Sequence, residues 1–219
     1  PEGLEAERVF IRELVAQCAD RDLLLYRLSS TRVFDGVKEQ AYTEKDPLTP
    51  IGAHGALQAE LDQLLQGQCR RHLLLRFSWV LDSSPEGMLQ RLVTQLLAGD
   101  SVSLAEEWRG TPTPLEDMAR VVLAGLKQLD CGSELYGCYH YASAEVASWI
   151  SFARTLAQEL VLDGQLAREP VIEPVSFDSQ PAAALEPRNA VLSGRRLLYV
   201  FGIKPRTWRV SLTALLGSH

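Results

Sequence analysis

The run Leu23-Leu24-Leu25-Tyr26-Arg27-Leu28 limits what this chain can become more than any other stretch. A second run, His72-Leu73-Leu74-Leu75-Arg76-Phe77, has the same texture. Short, nearly unbroken apolar runs are too short for a core helix and lack the alternation of a half-exposed strand. They read as strands of a parallel sheet, covered by helices on both faces. Each is preceded by a segment with helical spacing. Leu4, Phe10, Ile11, Leu14, Val15 and Cys18 share one face before the first strand, with Asp20-Arg21-Asp22 as the stop, and Leu57, Leu61, Leu64 and Leu65 share one before the second. Alternating helix and strand predicts a doubly wound α/β fold. The first strand ends in the hydroxyl residues Ser29, Ser30 and Thr31 and turns at Asp35-Gly36. That is the carboxyl edge, where open α/β sheets hold ligands.

After Trp79 the pattern changes. Pro85-Glu86 opens a helix to Leu97, stopped by Gly99-Asp100, and Gly110-Thr111-Pro112-Thr113-Pro114 is a rigid turn before a helix reaching Leu129. Residues 137–141 form a short strand, and Ser143 to Leu160 a helix burying Trp149, Phe152 and Leu156. Residues 168–187 read as an irregular, proline-rich crossing. Two helices, Ser193–Phe201 with Gly202 as its C-cap and Thr207–Leu216, close the chain. Residues 1–80 thus belong to a Rossmann-like domain. Residues 81–219 form mainly a small α+β ligand-binding region, with some elements returning to the sheet.

The 219 residues are 46% hydrophobic, enough for a sizeable core. A net charge of -6, with Arg70-Arg71 and Arg195-Arg196 as isolated basic pairs, argues against a nucleic-acid partner. No apolar run is long enough to span a membrane, and Pro1-Glu2-Gly3-Leu4-Glu5 is unlike a signal peptide. Cys18, Cys69, Cys131 and Cys138 lack the spacing and histidine partners of a zinc site, and no carboxylate–histidine cluster suggests another metal. Reduced thiols in a cytoplasmic protein are the expectation.

Six short motifs, in order, carry a resemblance. Ser29-Ser30-Thr31-Arg32-Val33-Phe34-Asp35-Gly36 is similar to Ser-Thr-Asp-Tyr-Val-Phe-Asp-Gly, a signature of the dTDP-4-dehydrorhamnose reductase family of extended short-chain dehydrogenase/reductases. Tyr42-Thr43-Glu44-Lys45-Asp46 resembles its acidic run, and Leu75-Arg76-Phe77-Ser78-Trp79-Val80 its Leu-Arg-Thr-Ser-Trp-Val strand end. Gly110-Thr111-Pro112-Thr113 is similar to its Gly-x-Pro-Thr turn and Gly137-Cys138-Tyr139-His140 to its Gly-x-Tyr-His strand. Glu186-Pro187-Arg188-Asn189-Ala190-Val191-Leu192 resembles Arg-Pro-x-Asn-Ser-x-Leu. The family includes the regulatory β subunit of methionine adenosyltransferase. The resemblance implies a Rossmann-like parallel sheet of which this chain lacks the first βαβ units, on the order of seventy residues, including the Gly-rich phosphate turn. Gly52-Ala53-His54-Gly55 follows a proline-bearing loop and is a turn, not that fingerprint.

The resemblance also implies a catalytic hydroxyl, tyrosine and lysine. Aligned without gaps from Phe34 to Trp79, Ser30 takes the hydroxyl position, His54 the tyrosine and Gln58 the lysine. A rival alignment on Ala59-Glu60 places Gly52 and Ala56 there instead. Either way the tyrosine and lysine are absent. An imidazole can donate a proton near its ordinary pKa of about 6.5, but an uncharged amide cannot tune a neighbour or clamp a ribose as an ammonium does. As substrate-binding positions the resemblance implies Ser78, Trp79, Thr111, Thr113, Arg188 and Asn189, each equally readable as an ordinary structural residue. Arg76, His72 and His140 lie inside strands and read as structural. The expected function is a degenerate relative that binds a dTDP-linked nucleotide-sugar or a protein partner without hydride transfer. The alternatives are an active reductase using NADP or NAD, with the fold completed by a further N-terminal segment, and a regulatory subunit of another enzyme. The expected partners are a nucleotide-sugar and a protein partner or a homodimer, covering the sheet edge that the absent strands would leave open.

Overall fold

The computed structural model describes residues 2–99 and 101–216. Helix α1 (Glu2–Asp20) leads into strand β1 (Leu25–Ser30), and helix α2 (Ala53–Gln68) into β2 (His72–Phe77). Then come β3 (Val80–Leu81), α3 (Met88–Ala98), β4 (Ser101–Ala105), β5 (Arg109–Gly110), β6 (Thr113–Pro114), α4 (Leu115–Asp130) and β7 (Gly137–His140). The last part holds β8 (Ala147–Ser148), α5 (Trp149–Leu162), β9 (Val171–Val175), β10 (Asn189–Ala190), α6 (Arg195–Phe201) and α7 (Arg209–Leu216).

β1, β2 and β7 form one parallel sheet in that order, with Ser30 level with Phe77 and Arg76 level with Ser29 and His140. Every residue of β2 is buried, as its unbroken apolar run requires of a central strand. One face packs Leu74 and Cys138 against Val15 and Cys18 of α1 and Leu65 of α2. The other packs Leu73, Leu75 and Tyr139 against Val121 of α4 and Leu197 and Phe201 of α6. This is the doubly wound, Rossmann-like arrangement. The outer edge of β1 pairs with no strand among the described residues. No helix among them is long and apolar enough to cross a membrane.

Residues beyond β2 build a second core in which Trp79, Trp108, Trp149, Phe152 and Trp208 meet aliphatic residues of α3, α5 and α7. Three features depart from the sequence reading. α5 begins at Trp149, not Ser143, because Ser148 caps it through a reciprocal bond pair with Ser151. α3 begins at Met88, not Pro85, because Ser84–Gly87 is closed by a Gly87 N–H to Ser84 carbonyl bond. Residues 171–175, read as irregular, form β9, a parallel partner of β4. Pro174 sits within that strand at the sheet's edge, where a missing donor is tolerated. Gly202 does cap α6, in the left-handed conformation with φ 66°.

Candidate ligand-binding site

The carboxyl ends of β1 and β2 open into a cavity of ≈ 400 Å³, with Ser30, Arg32, Gln58, Trp79, Asp82 and Glu86 among its walls. A second cavity of ≈ 280 Å³ adjoins it, walled by Leu92, Leu104, Trp108, Trp149 and Gln180. Arg32, Met88, Arg91 and Glu186 line both.

Ser30 and Gln58 meet at the first cavity. The Ser30 hydroxyl donates to Gln58 Oε1 at 2.6 Å and accepts the Arg32 backbone N–H at 3.3 Å. That spends the hydroxyl's one hydrogen and one lone pair, leaving an acceptor toward the cavity. The Gln58 amide nitrogen has no hydrogen bond among the described residues. His54, in the first turn of α2, is not part of either wall. Its Nδ1 lies 3.5 Å from Arg32 Nη1. Arginine carries no acceptor, so this long contact holds only with Nδ1 accepting and the ring hydrogen on Nε2.

Asp62 lies one turn further along α2 from Gln58. Asp62 is wholly buried and accepts Arg27 Nε at 3.2 Å, the Ser29 hydroxyl at 2.8 Å and Arg76 Nε at 3.0 Å. The buried Arg76 guanidinium also donates to His140 Nε2 at 3.3 Å and lies 5.6 Å from the Phe34 ring centre. His140 Nδ1–H donates to the Tyr42 carbonyl at 3.1 Å. Burial first, and the Arg76 charge second, push the His140 pKa down to about 3. Asp35, in the turn after β1, sits below the usual carboxylate range. Burial works against this, but bonds from the Tyr42 hydroxyl and the Val37 N–H outweigh it.

Of the six expected substrate-binding residues, Trp79 alone lines either of these two cavities. It has φ 38°, a left-handed backbone that costs a bulky residue roughly 1–3 kcal/mol. The turn drives its indole onto Gly110, where an added Cβ would lie 2.5–2.7 Å from three ring atoms. Its ring stands edge-on to Trp108 and Trp149, with centroids 5.3 and 5.2 Å away. The indole N–H groups of Trp79 and Trp108 are buried without a partner among the described residues. Of the other five expected residues, Ser78, Thr113, Arg188 and Asn189 spend side-chain polar atoms on the fold. Ser78 Oγ accepts the Thr111 N–H at 3.2 Å, and Thr113 donates to the Thr111 carbonyl at 3.0 Å. The Thr111 hydroxyl is buried and unpartnered. Arg188 pairs with Asp178 at 2.7 Å, and Asn189 donates to the carbonyls of Lys38 and Gln40. Asn189 thereby clamps the loop between β1 and α2.

Residues 4–219 match the family model for the RmlD substrate binding domain. The chain belongs to that family. It is 26% identical over 86% of its length to the dTDP-4-dehydrorhamnose reductase of Aggregatibacter actinomycetemcomitans, spanning 64% of that protein. It is 30% identical over 92% of its length to the dTDP-4-keto-6-deoxy-D-glucose reductase of Streptomyces niveus, spanning 67% of it. A dTDP-4-dehydrorhamnose reductase of Clostridium acetobutylicum superposes with a TM-score of 0.81 at 23% identity, over 94% of this chain and 70% of its own. The Bacillus anthracis reductase, solved in complex with NADP, superposes at 0.77 and 20% identity, over 96% and 71%.

The glycine-bearing turn that opens α2 is not a cradle for the pyrophosphate of such a dinucleotide. At Gly55, in the turn opening α2, an added Cβ would meet the Arg32 carbonyl oxygen at 2.2 Å. The glycine there admits the chain's own backbone at Arg32 and no phosphate. Sequence reasoning missed Arg32, Arg91 and Glu186. A signal existed for two of them. Where the resembled motifs read tyrosine and arginine, this chain reads Arg32 and Glu186, and the two form an ion pair.

Proposed function

We propose that this RmlD-family chain binds a nucleotide-linked sugar, of the dTDP-linked class its relatives are named for, without transferring hydride. The Ser30–Gln58 bond carries the reading. Where the resemblance calls for an ammonium that donates, Gln58 presents a carbonyl that accepts, and His54, at the position of the acid, stands outside the cavity walls with Nδ1 against a guanidinium. A general acid contributes typically about 10²–10⁴ in rate, and neither Gln58 nor His54 is placed to supply one here. The larger cavity suits a sugar, with Ser30, Asp82 and Glu86 offering acceptors to its hydroxyls. The smaller one suits a base, against Trp108 and Trp149.

The test is calorimetry and thermal unfolding with dTDP-rhamnose, dTDP and NADPH, together with NADPH oxidation in the presence of a dTDP-4-keto-sugar. A native-state ligand at a hundred times its Kd adds about 2.7 kcal/mol, which for a chain of this size raises Tm by roughly 5–10 °C. The expected result is stabilisation by the dTDP compounds and no oxidation of NADPH. Turnover would overturn the reading in favour of an active reductase.

A further inference from the structure

Two guanidinium groups stand on the wall shared by the two cavities, and only one carboxylate stands with them. The Arg91 guanidinium makes no hydrogen bond or ion pair among the described residues; only its backbone N–H is engaged, to the Gly87 carbonyl. Arg32 donates from both Nε, at 2.9 Å, and Nη2 to a single oxygen of Glu186. This is not the two-oxygen fork in which arginine binds an anion most strongly. The Glu186 side chain is 14% exposed and that of Arg32 39%, so the pair lies at the mouth of the cleft rather than in the core.

Glu186 ends a strap, residues 180–186, that passes along the smaller cavity through Gln180, Pro181, Ala182 and Leu185. Both flanks of the strap are anchored. Phe177 is buried, with its ring centre 5.9 Å from that of Trp108, and Pro187–Arg188 lies so close to Gly36 that an added Cβ would sit 2.4 Å from the Arg188 nitrogen. Between those anchors the bonds from Arg32 to Glu186 are the only side-chain hydrogen bonds of residues 180–186 among the described residues.

We propose that Arg32 recognises the diphosphate of the bound nucleotide, and that Glu186 occupies Arg32 until the ligand arrives. Binding then exchanges the Glu186 carboxylate for phosphoryl oxygens, with Arg91 on the same wall, and releases the strap. A diphosphate offers the paired oxygens and the second charge that Glu186 does not, so the exchange favours the ligand. Asp82 and Glu86 repel the diphosphate from the larger cavity and hold it at the arginine wall. This assignment rests on the nucleotide-sugar reading.

The experiment measures Kd by calorimetry for dTDP-rhamnose, dTDP and thymidine on the wild type, Glu186→Gln and Arg32→Gln, with Arg32→Lys as the milder variant. Hydrogen exchange of residues 180–186 is followed in parallel. A charge-assisted bond is worth about tenfold or more in affinity. The expected result is dTDP-rhamnose binding at least about tenfold tighter to Glu186→Gln and about tenfold weaker to Arg32→Gln, with thymidine unchanged across all variants. Strap amides should exchange faster in Glu186→Gln, and in the wild type once dTDP-rhamnose is bound. Equal affinities in wild type and variants would overturn the assignment and leave the nucleotide-sugar reading standing. Weaker binding by Glu186→Gln would overturn it too, since Glu186 would then hold the ligand itself. No binding by any form would overturn both.

Discussion

Removing the Asp62 carboxylate should cost more than any other single polar change in the sheet domain. It joins α2 to β1 through Arg27 and Ser29 and to β2 through Arg76, and it is wholly buried. In Asp62→Ala the Arg76 guanidinium, 1% exposed, keeps its charge with no carboxylate beside it. Breaking a buried pair from one side costs about 3–5 kcal/mol, against a total stability of about 5–15 kcal/mol. The expected fall in Tm is therefore roughly 6–20 °C for a chain of this length. Urea unfolding should be followed by far-ultraviolet circular dichroism and by tryptophan fluorescence, because all four tryptophans lie in the second core. The dichroism reports the sheet domain as well. Asp62→Leu combined with Arg76→Met removes both charges and should recover most of the loss, since a buried pair contributes little net stability over apolar side chains of similar volume. A cost below about 1 kcal/mol for Asp62→Ala would place the change in the range of surface substitutions and refute the reasoning, as would a double variant no better than the single one.

Two further outcomes are expected. His140 is neutral in the fold, its pKa held at about 3 by burial and Arg76, whereas unfolded it takes a proton near 6.5. Its contribution is therefore complete above pH 6.5 and is lost as the pH falls toward 3, about 2 kcal/mol of it by pH 5. Denaturant titrations from pH 7 to about 5 should show this slope in the wild type and a flatter one in His140→Gln, and identical slopes would refute the assignment. Gly110→Ala places a Cβ against the Trp79 indole and should destabilise by about 1–3 kcal/mol, read by chemical denaturation; an unchanged midpoint would mean the indole does not lie on Gly110.

The sheet was legible because its strands are local runs. Leu23–Leu28 and His72–Phe77 need no distant information to be read as buried strands, and β1 and β2 follow them closely. β9 was not legible: Val171–Val175 has no buried residue and carries a proline, so only its pairing with β4 makes it a strand. In the site, Ser30 and Gln58 were reachable because one motif and one spacing connect them. The Arg32–Glu186 pair spans 154 positions, and in the sequence only two separate departures from the resembled motifs mark its members. Thr113, Arg188 and Asn189 show the converse limit. Side chains that suit a ligand are equally those that tie loops together, and in this chain they tie loops.

The polarity of the Ser30–Gln58 bond decides what this wall can recognise. A serine poised to activate a keto group must offer its hydrogen to the carbonyl oxygen, because a carbonyl brings only lone pairs. In this chain that hydrogen goes to Gln58 Oε1, and the Arg32 N–H takes one of the hydroxyl's lone pairs. What remains for a ligand is an acceptor, and Asp82 and Glu86 on the same wall are acceptors as well. Donors face the same cavity, from the unbonded Gln58 amide nitrogen and the Arg32 and Arg91 guanidinium groups, so the wall can meet a sugar's hydroxyls in both roles while the serine hydrogen stays with Gln58. A lysine at position 58 would donate to the hydroxyl and free its hydrogen for a ligand. The single exchange of an ammonium for an amide therefore does more than remove a charge. On the nucleotide-sugar reading proposed above, it takes from the wall the serine hydrogen that would polarise a carbonyl.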